Sequence, residues 1–193
     1  RLALVLALAS PVACTAAPEQ RPAPPAPAAA PALDVAELSA FEARTRMDIG
    51  TLTARALTEA YLARIAAIDK DGPALNAVIE LNPAAVADAD RLDAERKAGR
   101  ARGPMHGIPV LLKDNIDATE LPTTGGAWAL AEHRPRLDSR VAAGMKAGGA
   151  VILGKANLDE FPFGDFGIST VGGTVGNAYD PSLSTAGSSG GSA

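Results

Sequence analysis

The sequence predicts an α/β fold built around a strand–helix–strand crossover. Residues 108–112 and 150–154 are continuous apolar runs, which is typical of strands buried on both faces. Between them, residues 138–148 begin with capping residues and end in glycines, as a helix does. A strand, a helix and a second strand at this spacing favour two neighbouring parallel strands.

Three helices and a short strand are predicted before this crossover. Asp34 is expected to cap the first helix, and apolar residues at helical spacing predict a second helix over 53–68. Residues 76–81 are β-like, and the Asn-Pro pair at 82–83 predicts the start of a third helix that ends near residue 99. The predicted apolar side of the first helix consists of Val35, Leu38, Phe41 and Ala43.

Residues 1–17 are predicted to be an export signal. The Leu/Ala run at 2–9 is far shorter than the roughly 20 residues that span a bilayer, and Arg1 fits the remnant of a charged start. Cys14 is a candidate lipid-acceptor cysteine of a bacterial lipoprotein, although Pro11 stands where a Leu is usual. Ordinary signal cleavage in this stretch is the alternative. Both predict an exported protein, either periplasmic or anchored to the membrane by a lipid.

A Pro/Ala-rich tether is predicted over residues 18–32. Proline removes backbone donors and keeps the chain extended, so this segment is expected to be a semi-rigid spacer. The folded domain is then expected over residues 33–193.

The composition argues against several classes of function. The chain has 18 basic and 22 acidic residues, a net charge of −4 and no basic block, so nucleic-acid binding is not expected. A single cysteine excludes an internal disulfide and a cysteine-rich metal site. Two histidines argue against a multi-histidine metal centre.

Lys113 is the sharpest candidate for chemistry. It ends the apolar run 108–112, which carries it toward the interior. Burial disfavours the charged form of an amine, and a neutral lysine can accept a proton from a hydroxyl. The alternative is a structural lysine paired with Asp114 or Asp117, and the local signal alone favours that alternative.

Other ionisable residues are weaker candidates. His106 precedes the apolar run and His133 lies in a polar stretch, and neither has an obvious partner, so both are interpreted as structural or exposed. Asp159 and Glu160 are adjacent and are expected to point in different directions. They are therefore interpreted as structural, with a capping or solvated role, rather than as a catalytic pair.

A Gly/Ser turn at 187–192 is the second candidate site. Its backbone N–H groups are not obstructed by large side chains and could hold an anion or an oxyanion. A flexible linker and a phosphate loop are the alternatives, but no Gly-Lys-Ser/Thr ending follows. Residues 161–187, rich in Gly, Ser, Thr and Asp, lead into the turn as a long loop, which more often forms a site than a linker.

Three segments in order, 103–116, 148–161 and 187–192, resemble the amidase signature family. The resemblance covers roughly residues 34–193. It implies a mixed sheet flanked by helices on both faces, incomplete in this chain, and neither a metal nor an organic cofactor. The exported start and the run at 77–82 make the chain most similar to bacterial peptide-amidase-like members.

The resemblance also implies roles for individual residues. Lys113 matches the family's base, and Ser188 matches its bridging serine, whose peptide bond to Gly187 is cis in the family. Ala186 stands where many members have Gly, a change expected to be mild if this position lies outside the hydrogen-bonding turn. The residues that match the site-shaping loop are Gly187, Ser189, Gly190, Gly191 and Ser192.

The function implied is hydrolysis of a carboxylic or peptide C-terminal amide through an acyl-serine. The family's acylating serine has no counterpart within these residues, so the 193-residue chain is expected to be inactive by itself. The alternatives are a glutaminase subunit of the amidotransferase type and a non-catalytic anion-binding module. The expected partner is a small-molecule or peptide amide, and the oligomeric state does not follow from the sequence.

Overall fold

A mixed sheet of three strands organises the computed structural model, which describes residues 33–193. The strands are β1 (Val78–Leu81), β2 (Pro109–Lys113) and β3 (Val151–Ala156), in the order β1-β3-β2. β3 is parallel to β2 and antiparallel to β1, so the predicted crossover is confirmed. The predicted export signal, Cys14 and the tether to residue 32 lie outside the described residues.

Burial differs between the two strands of the crossover. Every residue of β3 is buried, as predicted, because this strand lies between two neighbours. In β2 only Leu112 is buried and the other four residues are half-buried. The prediction that this run is buried on both faces is therefore wrong for β2, which has one neighbouring strand within the described part of the chain.

Helices cover both faces of the sheet, as the resemblance implies. The four α-helices are α1 (Ala40–Asp48), α2 (Ala54–Arg64), α3 (Ala85–Lys97) and α4 (Arg140–Ala147), and a π-helical segment over Ile65–Lys70 continues α2. Val151 and Leu153 belong to the core formed with α1, α2 and α3. Ile152, which alternates with them along β3, packs with Leu112 and with Ala142 of α4.

The predicted start of the first helix is wrong. Ser39, not Asp34, caps α1, and its side chain accepts the backbone N–H of Glu42. Ser39 and Glu42 have the spacing of a capping box, whereas Asp34 accepts the N–H of Ala36 in a local turn. The predicted apolar side is also only partly correct, because Phe41 is 70% exposed.

The other helix starts follow the sequence more closely. Thr53 caps α2 through its side chain, where the predicted range begins, and Ser139 caps α4, one residue after the predicted start at 138. α3 begins at Ala85, two residues later than predicted, after a turn that contains the buried Asn82. Its side chain accepts the N–H of Ala84 and donates to the carbonyl of Ile152 at 2.8 Å, which ties the turn to β3.

Lys146 links α4 to the part of the chain that precedes the helix. Its Nζ donates to Asp138 at 2.9 Å and also contacts Glu120. Burial alone would raise the pKa of Asp138, but hydrogen bonds from Lys146 and Thr119 outweigh it and lower that pKa. Burial likewise opposes the charge of Lys146, and its carboxylate partners raise its pKa on balance.

The long loop after β3 contains little regular structure. A short hairpin pairs β4 (Ile168–Ser169) with β5 (Gly173–Thr174), each strand having two residues, and a 3₁₀ turn covers Gly190–Ser192. Across residues 33–193, no helix has the length and apolar character needed to cross a membrane. The same residues contain no cluster of His, Cys, Asp and Glu side chains suited to a metal ion.

Candidate active site

Lys113 and Ser188 are hydrogen-bonded although they lie 75 residues apart in the chain. Lys113 is the last residue of β2, and its Nζ donates to the Oγ of Ser188 at 2.7 Å. Both residues are half-buried. The peptide bond between Gly187 and Ser188 is cis, as the resemblance implies. The geometry thus places an amine within proton-transfer distance of a hydroxyl.

Asp114 does not pair with Lys113, because its carboxylate is bound on the other side of the strand. Lys155, which is completely buried in β3, donates to Asp114 Oδ1 at 2.8 Å. Thr124 donates its N–H and its hydroxyl to Asp114 Oδ2. Within residues 33–193, neither Asp114 nor Asp117 forms an ion pair with Lys113, so the alternative pairing is not observed.

The buried Lys155 has a complete set of partners. Besides Asp114, its Nζ donates to the carbonyl of Pro122 at 2.9 Å and to the hydroxyl of Thr123 at 3.2 Å. An ammonium has three N–H donors, so each donor has an acceptor here. Sequence reasoning missed this pair. The available signal was a lysine inside a fully apolar strand, since a buried charge requires a buried counter-charge.

The segment that follows β3 is hydrogen-bonded to the turn that carries Ser188. The N–H of Gly191 donates to the carbonyl of Asn157 at 3.1 Å. A Cβ on Gly191 would lie 2.6 Å from the backbone nitrogen of Asn157, so only glycine allows this approach. Asn157 is itself buried and bonds Asn76 and Ser169 through its side chain, a role that sequence reasoning also missed.

The other residues of the Gly/Ser turn differ in exposure. Gly190 is buried and Gly191 is half-buried, while Ser189 and Ser192 are exposed. The N–H of Ser192 donates to the carbonyl of Ser189 at 2.9 Å, which closes the 3₁₀ turn. Ala186 has a φ of +58°, a left-handed conformation that favours glycine and explains why a glycine suits this position.

Neither histidine contacts the lysine–serine pair. His106 is fully buried, with Nε2 2.9 Å from the carbonyl of Leu92, while Nδ1 accepts the N–H of Arg102. This pattern assigns the proton of the neutral ring to Nε2 and makes His106 a structural residue. His133 is exposed. Both agree with the interpretation from the sequence.

Comparison with known proteins agrees with the fold. The family model for Amidase matches residues 56–193. The native peptide amidase from Stenotrophomonas maltophilia is 48% identical with a TM-score of 0.79, over 81% of this chain and 33% of that one. An amidase family protein from Bacillus anthracis is 36% identical with a TM-score of 0.77, over 82% and 32%.

A curated relative belongs to an amidotransferase rather than to a peptide amidase. The A subunit of glutamyl-tRNA(Gln) amidotransferase from Chloroflexus aurantiacus is 41% identical over 157 residues, which is 81% of this chain and 32% of that protein. The chain spans about a third of the length of these relatives. It belongs to the amidase signature family, and the resemblance in the sequence is confirmed.

Proposed function

We propose that the full-length protein hydrolyses carboxylic or peptide C-terminal amides to the acid and ammonia. The observation that carries this proposal is the 2.7 Å hydrogen bond from Lys113 to Ser188 within an amidase signature fold. A hydroxyl nucleophile needs a base within hydrogen-bond reach, and this pair provides a base and a bridging hydroxyl.

In the proposed reaction, the hydrogen bond between Lys113 and Ser188 is reversed: Ser188 gives its proton to Lys113 Nζ and in turn accepts the proton of the acylating serine. That serine is expected beyond residue 193. Its oxygen attacks the amide carbonyl, and the C–N bond breaks as the proton returns through Ser188 to the leaving nitrogen. Ammonia departs, and water then hydrolyses the acyl-serine ester to release the acid and restore both hydroxyls.

The similarity to a peptide amidase favours peptide C-terminal amides as the substrate class. The structural neighbour with that name is 48% identical over four fifths of the chain. A second candidate is the glutaminase half-reaction of an amidotransferase, which the 41% identical curated relative favours. Predicted export argues for the hydrolase, since an exported protein would be separated from aminoacyl-tRNA. A non-catalytic anion-binding module is the third interpretation of the Gly/Ser turn.

Ammonia release from a peptide with a C-terminal carboxamide tests the proposal. The full-length protein is expected to turn over this substrate, and Ser188→Ala is expected to abolish most of the activity. Ser182→Ala is the matched control, because Ser182 is an exposed loop serine whose hydroxyl bonds only Asp180 within the described residues. Release from glutamine alone would favour the amidotransferase, and release from no amide would refute both enzymatic functions.

We also propose that residues 1–193 by themselves release no ammonia. Within residues 33–193, Lys113 is the only side chain hydrogen-bonded to Ser188 Oγ, and no second serine hydroxyl reaches it. Turnover by the purified 193-residue chain above the background of its Ser188→Ala variant would contradict this proposal.

Export is proposed from residues 1–17, with Cys14 as the candidate lipid-acceptor residue. Mass spectrometry of the mature protein is expected to find a new N-terminus after residue 13 or within the next few residues. A lipid on Cys14 that disappears in Cys14→Ser would establish the lipoprotein form. An intact N-terminal segment on protein from the cytosol would contradict export.

A further inference from the structure

Asp159 contacts the turn that carries Ser188. It is 4% exposed, its backbone N–H bonds Ser188, and its carboxylate bonds Phe166 and Ile168 of the long loop. We propose that Asp159 is a positioning residue, which holds Ser188 within reach of Lys113 without itself contacting the substrate. This inference rests on the proposed function, because it assigns a purpose to the geometry of the same site.

The backbone of Asp159 contacts Ser188 directly. Its N–H donates to the carbonyl of Ser188 at 3.1 Å. Asp159 follows β3 by three residues, so this bond connects the serine to the fully buried middle strand. Lys113 ends the neighbouring strand, whose register places it opposite Ala156. Lys113 and Ser188 are thereby both attached to neighbouring strands of the same sheet.

The carboxylate of Asp159 holds the loop that packs beside the turn. Its Oδ1 accepts the N–H of Phe166 at 3.3 Å and the N–H of Ile168 at 3.1 Å. Within residues 33–193, the carboxylate has no cationic partner within 4.0 Å. The donors to this carboxylate are therefore backbone N–H groups of the loop.

The second oxygen of this carboxylate faces the residue before Ser188. Oδ2 is buried and has no hydrogen-bond donor within the described part of the chain. A Cβ on Gly187 would overlap this oxygen, so a Cα–H of Gly187 points at it. The same aspartate thus contacts Gly187 through its side chain and Ser188 through its backbone.

An asparagine would not reproduce this arrangement. Asp159 presents acceptors on both oxygens, to two N–H groups on one side and to a C–H group on the other. The amide of asparagine has one acceptor and one NH₂, so it would bury an NH₂ against the Gly187 Cα–H or against the two N–H groups. An unpaired buried donor is costly, and the turn would shift to relieve it.

Small shifts of this turn matter because proton transfer requires close contact. Useful hydrogen-bond distances for a base are roughly 2.6–3.2 Å, and a displacement of about 1 Å can reduce a rate by about 10²-fold. The observed 2.7 Å between Lys113 and Ser188 leaves little room for displacement. Because Asp159 contacts both Gly187 and Ser188, we expect it to influence the rate of amide hydrolysis through the position of Ser188.

The test compares Asp159→Asn with Glu160→Gln in the full-length protein. Both variants remove one carboxylate from the same loop, but Glu160 accepts the N–H of Thr170 and does not contact the Ser188 turn. With a peptide carboxamide as the probe, Asp159→Asn is expected to lower kcat by about 10- to 100-fold with KM within a few-fold. Glu160→Gln is expected to leave both constants within a few-fold of wild type.

A double-mutant comparison separates positioning from general stability. If Asp159 acts through Ser188, then Asp159→Asn in a Ser188→Ala background should cost little more than Ser188→Ala alone. A residue that only stabilises the fold would lower the residual activity by the same factor in both backgrounds. Equal factors, or an unchanged kcat in Asp159→Asn, would overturn the inference. If Asp159→Asn does not fold, Asp159→Ser provides the same comparison with a smaller side chain.

Hydrogen exchange gives a readout that does not depend on turnover. The amides of residues 187–191 are expected to exchange faster in Asp159→Asn than in wild type and to be unchanged in Glu160→Gln. If the wild-type protein hydrolyses no amide, the proposed function fails, and exchange alone then decides the positioning role. Unchanged exchange in Asp159→Asn would overturn it.

Discussion

Replacement of Lys113 by alanine tests whether this lysine is the base of the site. Within residues 33–193 the Lys113 side chain forms one hydrogen bond, at 2.7 Å to Ser188, and the neighbouring Asp114 is paired with Lys155. Loss of that hydrogen bond should cost about 1 kcal/mol of stability. Loss of a general base should lower the rate by about 10² to 10⁴, or about 3–5 kcal/mol of transition-state stabilisation. The effect on rate should therefore exceed the effect on stability.

Steady-state kinetics of ammonia release on the full-length protein measure both constants. Lys113→Ala should lower kcat and leave KM nearly unchanged, because the lysine is expected to contact the bridging hydroxyl rather than the substrate. The losses in Lys113→Ala and Ser188→Ala should not add, since both remove the same proton route. Lys97→Ala is the control, because Lys97 is an exposed lysine at the end of α3.

Two results would refute this reasoning. A kcat within a few-fold of wild type in Lys113→Ala would end its assignment as base. A strongly lowered melting temperature with little change in kcat would assign Lys113 a structural role instead.

Three further predictions concern residues around the site and the sheet. Lys155→Met should lower the free energy of unfolding by about 3–5 kcal/mol in urea titrations, because it leaves a buried carboxylate without its counter-charge. Gly191→Ala should lower both activity and melting temperature because its Cβ would press on backbone, whereas Gly144→Ala, with open space in α4, should be neutral or stabilising. The lowered pKa of Asp138 predicts stability that is present at neutral pH and lost on acidification below about pH 4, with a smaller loss in Lys146→Met.

Each of these predictions has a contradicting result. A Lys155→Met protein as stable as wild type would show that the buried pair contributes no net stability. Equal melting temperatures for the two alanine variants would contradict the close approach at Gly191. Identical acid profiles for the wild type and Lys146→Met would show that the ion pair of Asp138 does not control the acid transition.

Elements with a clear local pattern could be predicted closely. The predicted ranges at 53–68 and 138–148 agree with α2, its π-helical continuation and α4, because their apolar spacing and caps are local signals. The predicted start of α1 is wrong, because Asp34 and Ser39 are both acceptable caps and the capping-box spacing of Ser39 and Glu42 is the local signal that distinguishes them. The incomplete burial of β2 depends on how many strands flank it, which its own residues do not specify.

The amino-acid sequence by itself determined the α/β class, the lysine at the end of β2 and the Gly/Ser turn, because each is encoded in neighbouring residues. Only the tertiary structure decided that Lys113 reaches Ser188, that Asp114 is bound by Lys155 instead, and that Asp159 supports the turn. The first two contacts join residues 75 and 41 positions apart. Such contacts depend on strand register and loop path, and one residue of slip in a strand would turn each side chain to the opposite face.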